Sequence, residues 1–163
     1  MIYKIKKGAH YCQHWPKFHL GETNLRFRFK FGEGCWFPMN VPDDHAINKL
    51  CGPGYGDHHK NSVRVGWTPN LRPGWIDLFF YIYQNGHRVE QHFASVEVGT
   101  EYEMEIDLNS DLASFNLMHN YECVAIDSVY YKLPWFQWGA VLFPFVGGKL
   151  PARVDTYIDL TII

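Results

Sequence analysis

The stretch that most constrains the fold is "WIDLFFYIYQNGHRVEQHFASV", residues 75–96. Two apolar, alternating runs flank Asn-Gly. That dipeptide is the strongest short hairpin signal, because a type I′ turn needs φ > 0 at both central residues. A two-residue turn at Asn85-Gly86 pairs Gln84 with His87 and fixes everything behind it. Tyr83 then faces Arg88, Ile82 faces Val89, Tyr81 faces Glu90, Phe79 faces His92 and Leu78 faces Phe93. Side chains alternate along a strand. One face therefore carries Leu78, Phe80, Ile82, Val89 and Phe93, and is expected to be core. The other carries Phe79, Tyr81, Tyr83, Arg88, Glu90 and His92.

The same period of two recurs. "NLRFRFKF" sets Leu25, Phe27, Phe29 and Phe31 against Arg26, Arg28 and Lys30; "EYEMEIDL" sets Tyr102, Met104, Ile106 and Leu108 against four carboxylates. "NSVRVGW" alternates, and "DTYIDLTII" reads as a closing strand. Pro and Gly punctuate at short intervals, and Asn109-Ser110-Asp111 reads as a hairpin turn. The aromatic content of 17% suits strands. The one expected helix is "DDHAINKLCG", capped by Asp43 or Asp44. The expectation is one all-β domain over residues 1–163, an antiparallel β-sandwich of jelly-roll type with at most one or two short helices near residues 43–51.

The mixed face of the hairpin is the candidate site. Aromatic rings can stack on pyranose C–H groups while Arg, Glu and His bind hydroxyls. The competing reading is that a neighbouring loop covers these rings. In "GYGDHHKNSVRVGW", Val63, Val65 and Trp67 point to the core, so Arg64 joins the face of Tyr81 and Glu90. Running the alternation backward puts His58 on that face and leaves His59 buried and hydrogen-bonded. Adjacent strand residues diverge, so the two histidines are not expected to share a metal. The expected ligand-binding set is His58, Arg64, Tyr81, Tyr83, Arg88, Glu90 and His92, with no metal and no cofactor.

Other chemistry is thin. Asp107-x-Asn109-x-Asp111 hints at a calcium loop, but Leu112 and Met118 stand where Gly and Glu are required. No nucleophile elbow, phosphate-binding loop or HExxH occurs. Glu90 shares its face with Asp77 but no evident acid–base pair. A lyase would use Tyr81 or His92 as base and Arg64 or Arg88 to neutralise charge. The net charge of −2 and the lack of a basic stripe argue against nucleic acid and anionic membrane as partners. Cys12, Cys35, Cys51 and Cys123 form no CxxC and are expected to be reduced thiols. "MIYKIKKGAHYC" lacks the apolar stretch of a secretory signal, so cytoplasmic synthesis is expected.

"LFPFVGGKLPARVDTYIDLTI", residues 142–162, resembles the closing segment of concanavalin A-like jelly rolls, with Val146 and Arg153-Val154 departing from the pattern. The layout also resembles small proteins of gut bacteria and their tailed phages. The resemblance implies two antiparallel sheets with a concave face, used by lectins, polysaccharide-cleaving enzymes and virion modules. Three readings follow. The leading expectation is a non-enzymatic module binding glycan or a protein surface, as a virion decoration or adhesion protein among other virion proteins. The alternative is a polysaccharide lyase or glycoside hydrolase of the same fold. The third is a structural subunit whose aromatic face is buried against a partner.

Overall fold

The structure is a computed structural model describing residues 1–21, 23–39, 46–109 and 111–163. It contains two antiparallel sheets of six strands packed face to face. The strands are β1 (Ile2–Ile5), β2 (Lys17–Leu20), β3 (Asn24–Phe31), β4 (Asn48–Tyr55), β5 (Ser62–Pro69) and β6 (Trp75–Gln84). They continue with β7 (His87–Glu97), β8 (Glu101–Asn109), β9 (Leu112–His119), β10 (Glu122–Tyr130), β11 (Trp138–Leu142) and β12 (Thr156–Ile162). One sheet runs β1-β12-β3-β8-β9-β10 and the other β2-β11-β4-β5-β6-β7. The all-β sandwich expected from the alternation is thus observed, with no helix among the described residues.

Alternation builds the core. Phe27, Phe29 and Phe31 of β3 face inward with Met104, Ile106 and Leu108 of β8 and with Phe115 and Leu117 of β9. The second sheet answers with Val63, Val65 and Trp67 of β5 and with Ile76, Leu78, Phe80 and Ile82 of β6. Rings bridge the layers: Phe80 and Phe115 lie 4.5 Å apart, and Phe31 and Trp67 lie 5.2 Å apart. Burial of this apolar surface is the main driving force for the fold.

The Asn85-Gly86 turn forms as expected, with φ of 50° and 81°. Tyr83 pairs with Arg88, Ile82 with Val89, Tyr81 with Glu90 and Phe79 with His92. Beyond Phe79 the register departs, because a bulge between Leu78 and Phe79 makes Leu78 the partner of Ala94 rather than Phe93. Val89 is corrected from core to exposed, since β7 is an edge strand whose first six residues are exposed.

The expected helix is overturned where the structure describes it. Residues 43–45 lie outside the described residues; Ala46 and Ile47 are irregular, and Asn48 onward is β4. The reason is tertiary: β4 pairs with both β5 and β11, and those ladders outweigh a short stretch of helix propensity. The turn between β8 and β9 falls as expected, with Asn109 paired to Leu112, although Ser110 itself lies outside the described residues. All four cysteines are free; Cys35 and Cys51 are buried, Cys12 half-buried and Cys123 exposed.

Candidate functional site: a cationic groove on the outer face of one sheet

Pairing places Arg64 of β5 opposite Tyr81 of β6, and Tyr81 opposite Glu90 of β7. Two residue pairs further on, and so on the same face, Ser62 lies opposite Tyr83, which faces Arg88. β4 reaches this sheet through glycines. A Cβ on Gly52, whose φ is +156°, would lie 2.1 Å from the Val63 carbonyl oxygen. A Cβ on Gly54 would lie 2.9 Å from the His58 Cβ, so the missing side chain lets His58 settle over the sheet.

The result is a groove with two adjoining hollows. One, of about 510 Å³, is lined by His58, Arg64, Tyr81, Tyr83 and Arg88, with Lys49 and Phe145. The other, of about 1050 Å³, is lined by Tyr81, Arg88 and Glu90 together with Lys49, Asp77 and Phe79. Lys49, Tyr81 and Arg88 border both. Tyr11, Cys12, His14 and Pro16 wall the smaller hollow on one side. That segment is held by a hydrogen bond from the Val146 amide to the His10 carbonyl.

The floor is cationic and poorly compensated. Arg64 is only 6% exposed and Tyr81 only 4%. The Arg64 guanidinium lies 5.4 Å from the Tyr81 ring centre. Among the described residues its Nε, and the Ser62 Oγ beside it, are buried without a hydrogen-bond partner. Lys49 Nζ sits 4.5 Å from the Tyr81 ring and 5.6 Å from the Phe145 ring, and donates to the Ile47 carbonyl oxygen at 2.8 Å. No carboxylate of the described residues lies within ion-pairing distance of Lys49 or Arg64. Arg88 is the exception, with its Nε 3.3 Å from Glu90 Oε2 at the rim.

Burial, together with the nearby charges of Arg64 and Arg88, pulls the Lys49 ammonium down to about 8; Glu90 opposes this weakly. Burial also lowers Arg64, which stays charged. The Tyr81 phenol is pushed up to about 12 by burial and by its hydrogen bond with Tyr83, against the pull of Arg88. His58 is lowered, first by burial and then by His59 and Arg64, so its imidazole is neutral at pH 7.

Of the seven residues expected from sequence, His58, Arg64, Tyr81, Tyr83 and Arg88 line one hollow and Glu90 lines the next. His92 lines neither. It stands on the edge strand with its Nε2 3.4 Å from Asp77 Oδ1, edge-on to Phe79. The His58–His59 expectation is also corrected. Both lie in a turn rather than in an extension of β5, so strand parity does not govern them. His58 is half-buried, His59 is exposed rather than buried, and their rings lie 4.2 Å apart. Among the described residues no group of three or more His, Cys, Asp or Glu is placed to hold a metal. Sequence reasoning missed Lys49 because its segment was read as a helix. Read as a strand, "NKLCGPGY" puts Lys49 on the groove face.

No family model matches the sequence, and no curated protein matches it by sequence. Solved structures do resemble it. An alginate lyase from Klebsiella pneumoniae superposes with a TM-score of 0.66 at 8% identity, covering 86% of this chain and 59% of that one. An alginate lyase from a Chlorella virus gives 0.58 at 12% identity, covering 99% and 81%. A functionally unknown protein from Saccharomyces cerevisiae gives 0.55 at 6% identity, covering 91% and 72%. This chain therefore spans less than two thirds of the Klebsiella enzyme. At such identities the likeness establishes the fold, and it supports the concanavalin A-like jelly roll expected from residues 142–162. It overturns the leading functional expectation. These neighbours carry no sign of a non-enzymatic virion module or of the gut-phage resemblance; those with a stated activity are polysaccharide-cleaving enzymes.

Proposed function

We propose that this chain is a polysaccharide lyase acting on an anionic, uronate-containing glycan bound along the groove. The observation that carries the reading is the buried Arg64, with Lys49 beside it and no carboxylate of the described residues within ion-pairing distance of either. Burying an unpaired cation is costly, and a carboxylate brought by a ligand would compensate it. The likeness of the fold to alginate lyases supports the same class of substrate.

The residues suit β-elimination. Arg64 and Lys49 would neutralise the uronate carboxylate and so acidify the C–H bond next to it. The neutral His58 imidazole would take that proton. The electron pair forms the new carbon–carbon double bond as the bond to the leaving sugar oxygen breaks. A phenol, Tyr81 or Tyr83, would protonate that oxygen; with Tyr81 raised to about 12, its proton is present at neutral pH. One proton is accepted and one donated, and no cofactor is required.

Hydrolysis fits less well. Glu90 pairs with Tyr81 and Asp77 with Ser95, four residues apart along β6. At about 3.3 Å per residue the backbones are about 13 Å apart along the strands, so the carboxyl groups reach the roughly 5–9.5 Å of a glycosidase pair only if both side chains lean toward each other. Asp77 is also committed, accepting from Asn70 Nδ2 and Ser95 Oγ at 2.6 Å each.

The test is incubation with alginate, polygalacturonate, hyaluronan and chondroitin, following the ultraviolet absorbance of unsaturated ends. Lysis should appear on at least one of them and drop by about a hundredfold or more in His58→Asn, the usual scale for a lost general base. Arg64→Gln should fall with it. New reducing ends without absorbance would show hydrolysis instead, and no cleavage of any would overturn the lyase reading.

A further inference from the structure

The outer face of this sheet changes chemistry halfway across. The register joins Arg88, Tyr83, Ser62, Gly54, Ala140 and Phe18 in a single row crossing all six strands. The cationic groove occupies the β5–β7 end. The middle holds only small side chains, with His58 resting over Gly54. At the other end Trp138 of β11 pairs with Leu20 of β2, on the same face as Phe18, because the alternate residues Val141 and His19 point inward. Phe18 is 65% exposed, Leu20 77%, Trp138 53% and the neighbouring Trp135 93%. Phe136 links the two tryptophans, with ring centres 5.5 Å from Trp135 and 5.9 Å from Trp138. Single exposed apolar residues are ordinary, whereas a contiguous aromatic patch marks a binding surface.

We infer that this β2–β11 platform is a second carbohydrate subsite. It takes the apolar C–H faces of sugar residues lying beyond the uronate held at Lys49 and Arg64. The inference rests on the glycan-groove reading and extends it. The occupant is the same polysaccharide chain, because the platform continues the groove face without a break in register. From Tyr83 to Phe18 is four interstrand steps of about 4.8 Å, or about 19 Å, the reach of a short oligosaccharide. Aromatic rings give sugars stacking area, and charged groups give them hydrogen bonds. The ligand is therefore an acidic chain several residues long, with its reacting linkage near His58, between the platform and the cationic hollow.

Binding should then depend on chain length in a way that Trp138 and Phe18 control. Calorimetry would use His58→Asn protein, so that ligands stay intact. The ligands would be alginate, oligogalacturonate and hyaluronan oligomers from disaccharide to decasaccharide. Affinity should rise once the oligomer is long enough to reach the platform. Adding Trp138→Ala or Phe18→Ala should remove that gain, about tenfold or more for the long oligomers, while short ones bind as before. A fluorescence change on adding long oligomers should vanish in the Trp138→Ala protein. Both side chains are exposed, so Tm serves as a check that folding is intact. Long oligomers binding the variants as tightly as the parent would overturn the inference. So would variants that change only self-association in sedimentation, which would make the platform a contact between copies. If the parent binds no oligomer of any length, the groove reading itself fails and the subsite falls with it.

Discussion

Lys49 shows how a single side chain ties the site to pH. Its ammonium sits between the Tyr81 and Phe145 rings, and burial brings it down to about 8 from 10.5. The charged form is what would bind a carboxylate, so affinity for an anionic glycan should weaken as pH rises through about 8. Lys49→Arg keeps its charge across that range and should flatten the profile in a binding titration. Stability runs the other way. Below about 8 both folded and unfolded chains hold the proton, and the folded state bears the whole cost of burying it. Between about 8 and 10.5 the folded state sheds the proton first, and the cost fades. Lys49→Met should therefore have a higher Tm than the parent at pH 7, with the gap closing toward pH 10.5; an unchanged gap would refute the assignment. The strand pattern of "NKLCGPGY" places Lys49 on the groove face, but its burial is not legible in the sequence, because the two rings against it come from the distant β6 and the loop after β11. Arg64 and Tyr81 were legible, because strand parity and one hairpin register sufficed to place them on one face.

Among the elements, the β6–β7 hairpin follows its sequence pattern closely and departs from it in two places, the exposed Val89 and the register beyond Phe79. The Asn-Gly turn dictates pairing near the turn, and that pairing holds from Gln84↔His87 to Phe79↔His92. The bulge at Leu78/Phe79 then slips the register, with no Gly or Pro in either strand to announce it. His92 keeps its expected partner Phe79, and its Nε2 lies 3.4 Å from Asp77 Oδ1. The turn has a second task. The Gly86 amide donates to the Lys60 carbonyl oxygen at 3.0 Å, and the Asn85 amide donates to Asn61 Oδ1 at 3.2 Å. The hairpin tip thus braces the turn that carries His58 and His59. Gly86 has φ of +81°, where any Cβ is strained, although no atom lies in the way of one. Gly86→Ala should cost about 1–2 kcal/mol in denaturant unfolding, the penalty for an L-residue in left-handed backbone. Because the brace loosens with it, glycan cleavage should fall by more than the unfolded fraction explains. Activity that tracks folded protein alone would show that the brace does not position His58.

At the scale of the whole molecule, the chain closes on itself. β12, the last strand, lies between β1 and β3, and among the described residues β1 pairs in its sheet with β12. The Met1 ammonium donates to Asp159 at 2.8 Å and to Thr161 Oγ1 at 3.0 Å, which ties the first residue to the last strand. Ile158 and Leu160 of β12 are fully buried in the shared core. The site lies on the other sheet, yet the same closing segment serves it. Residues 142–148 leave β11, pair Phe145 with both Tyr11 and Lys49, and wall the groove before the chain enters β12. This explains why the C-terminal pattern carried the fold resemblance while the leading functional expectation did not hold: one segment completes the sheet, but the groove is lined by residues brought together from β4, β5, β6, β7 and the turn after β4. Removing residues 156–163 should therefore do more than shorten an edge. It would leave β1 without its partner in the sheet, expose one side of β3 and uncover Phe29 and Phe31. Losing two buried aliphatic side chains at about 2–5 kcal/mol each already approaches the 5–15 kcal/mol total stability of an ordinary domain. The truncated chain should lose its cooperative unfolding transition and the dispersed amide resonances of β3, and groove binding with them. A truncated protein that still unfolded cooperatively and bound glycan would show that the groove sheet folds without its partner.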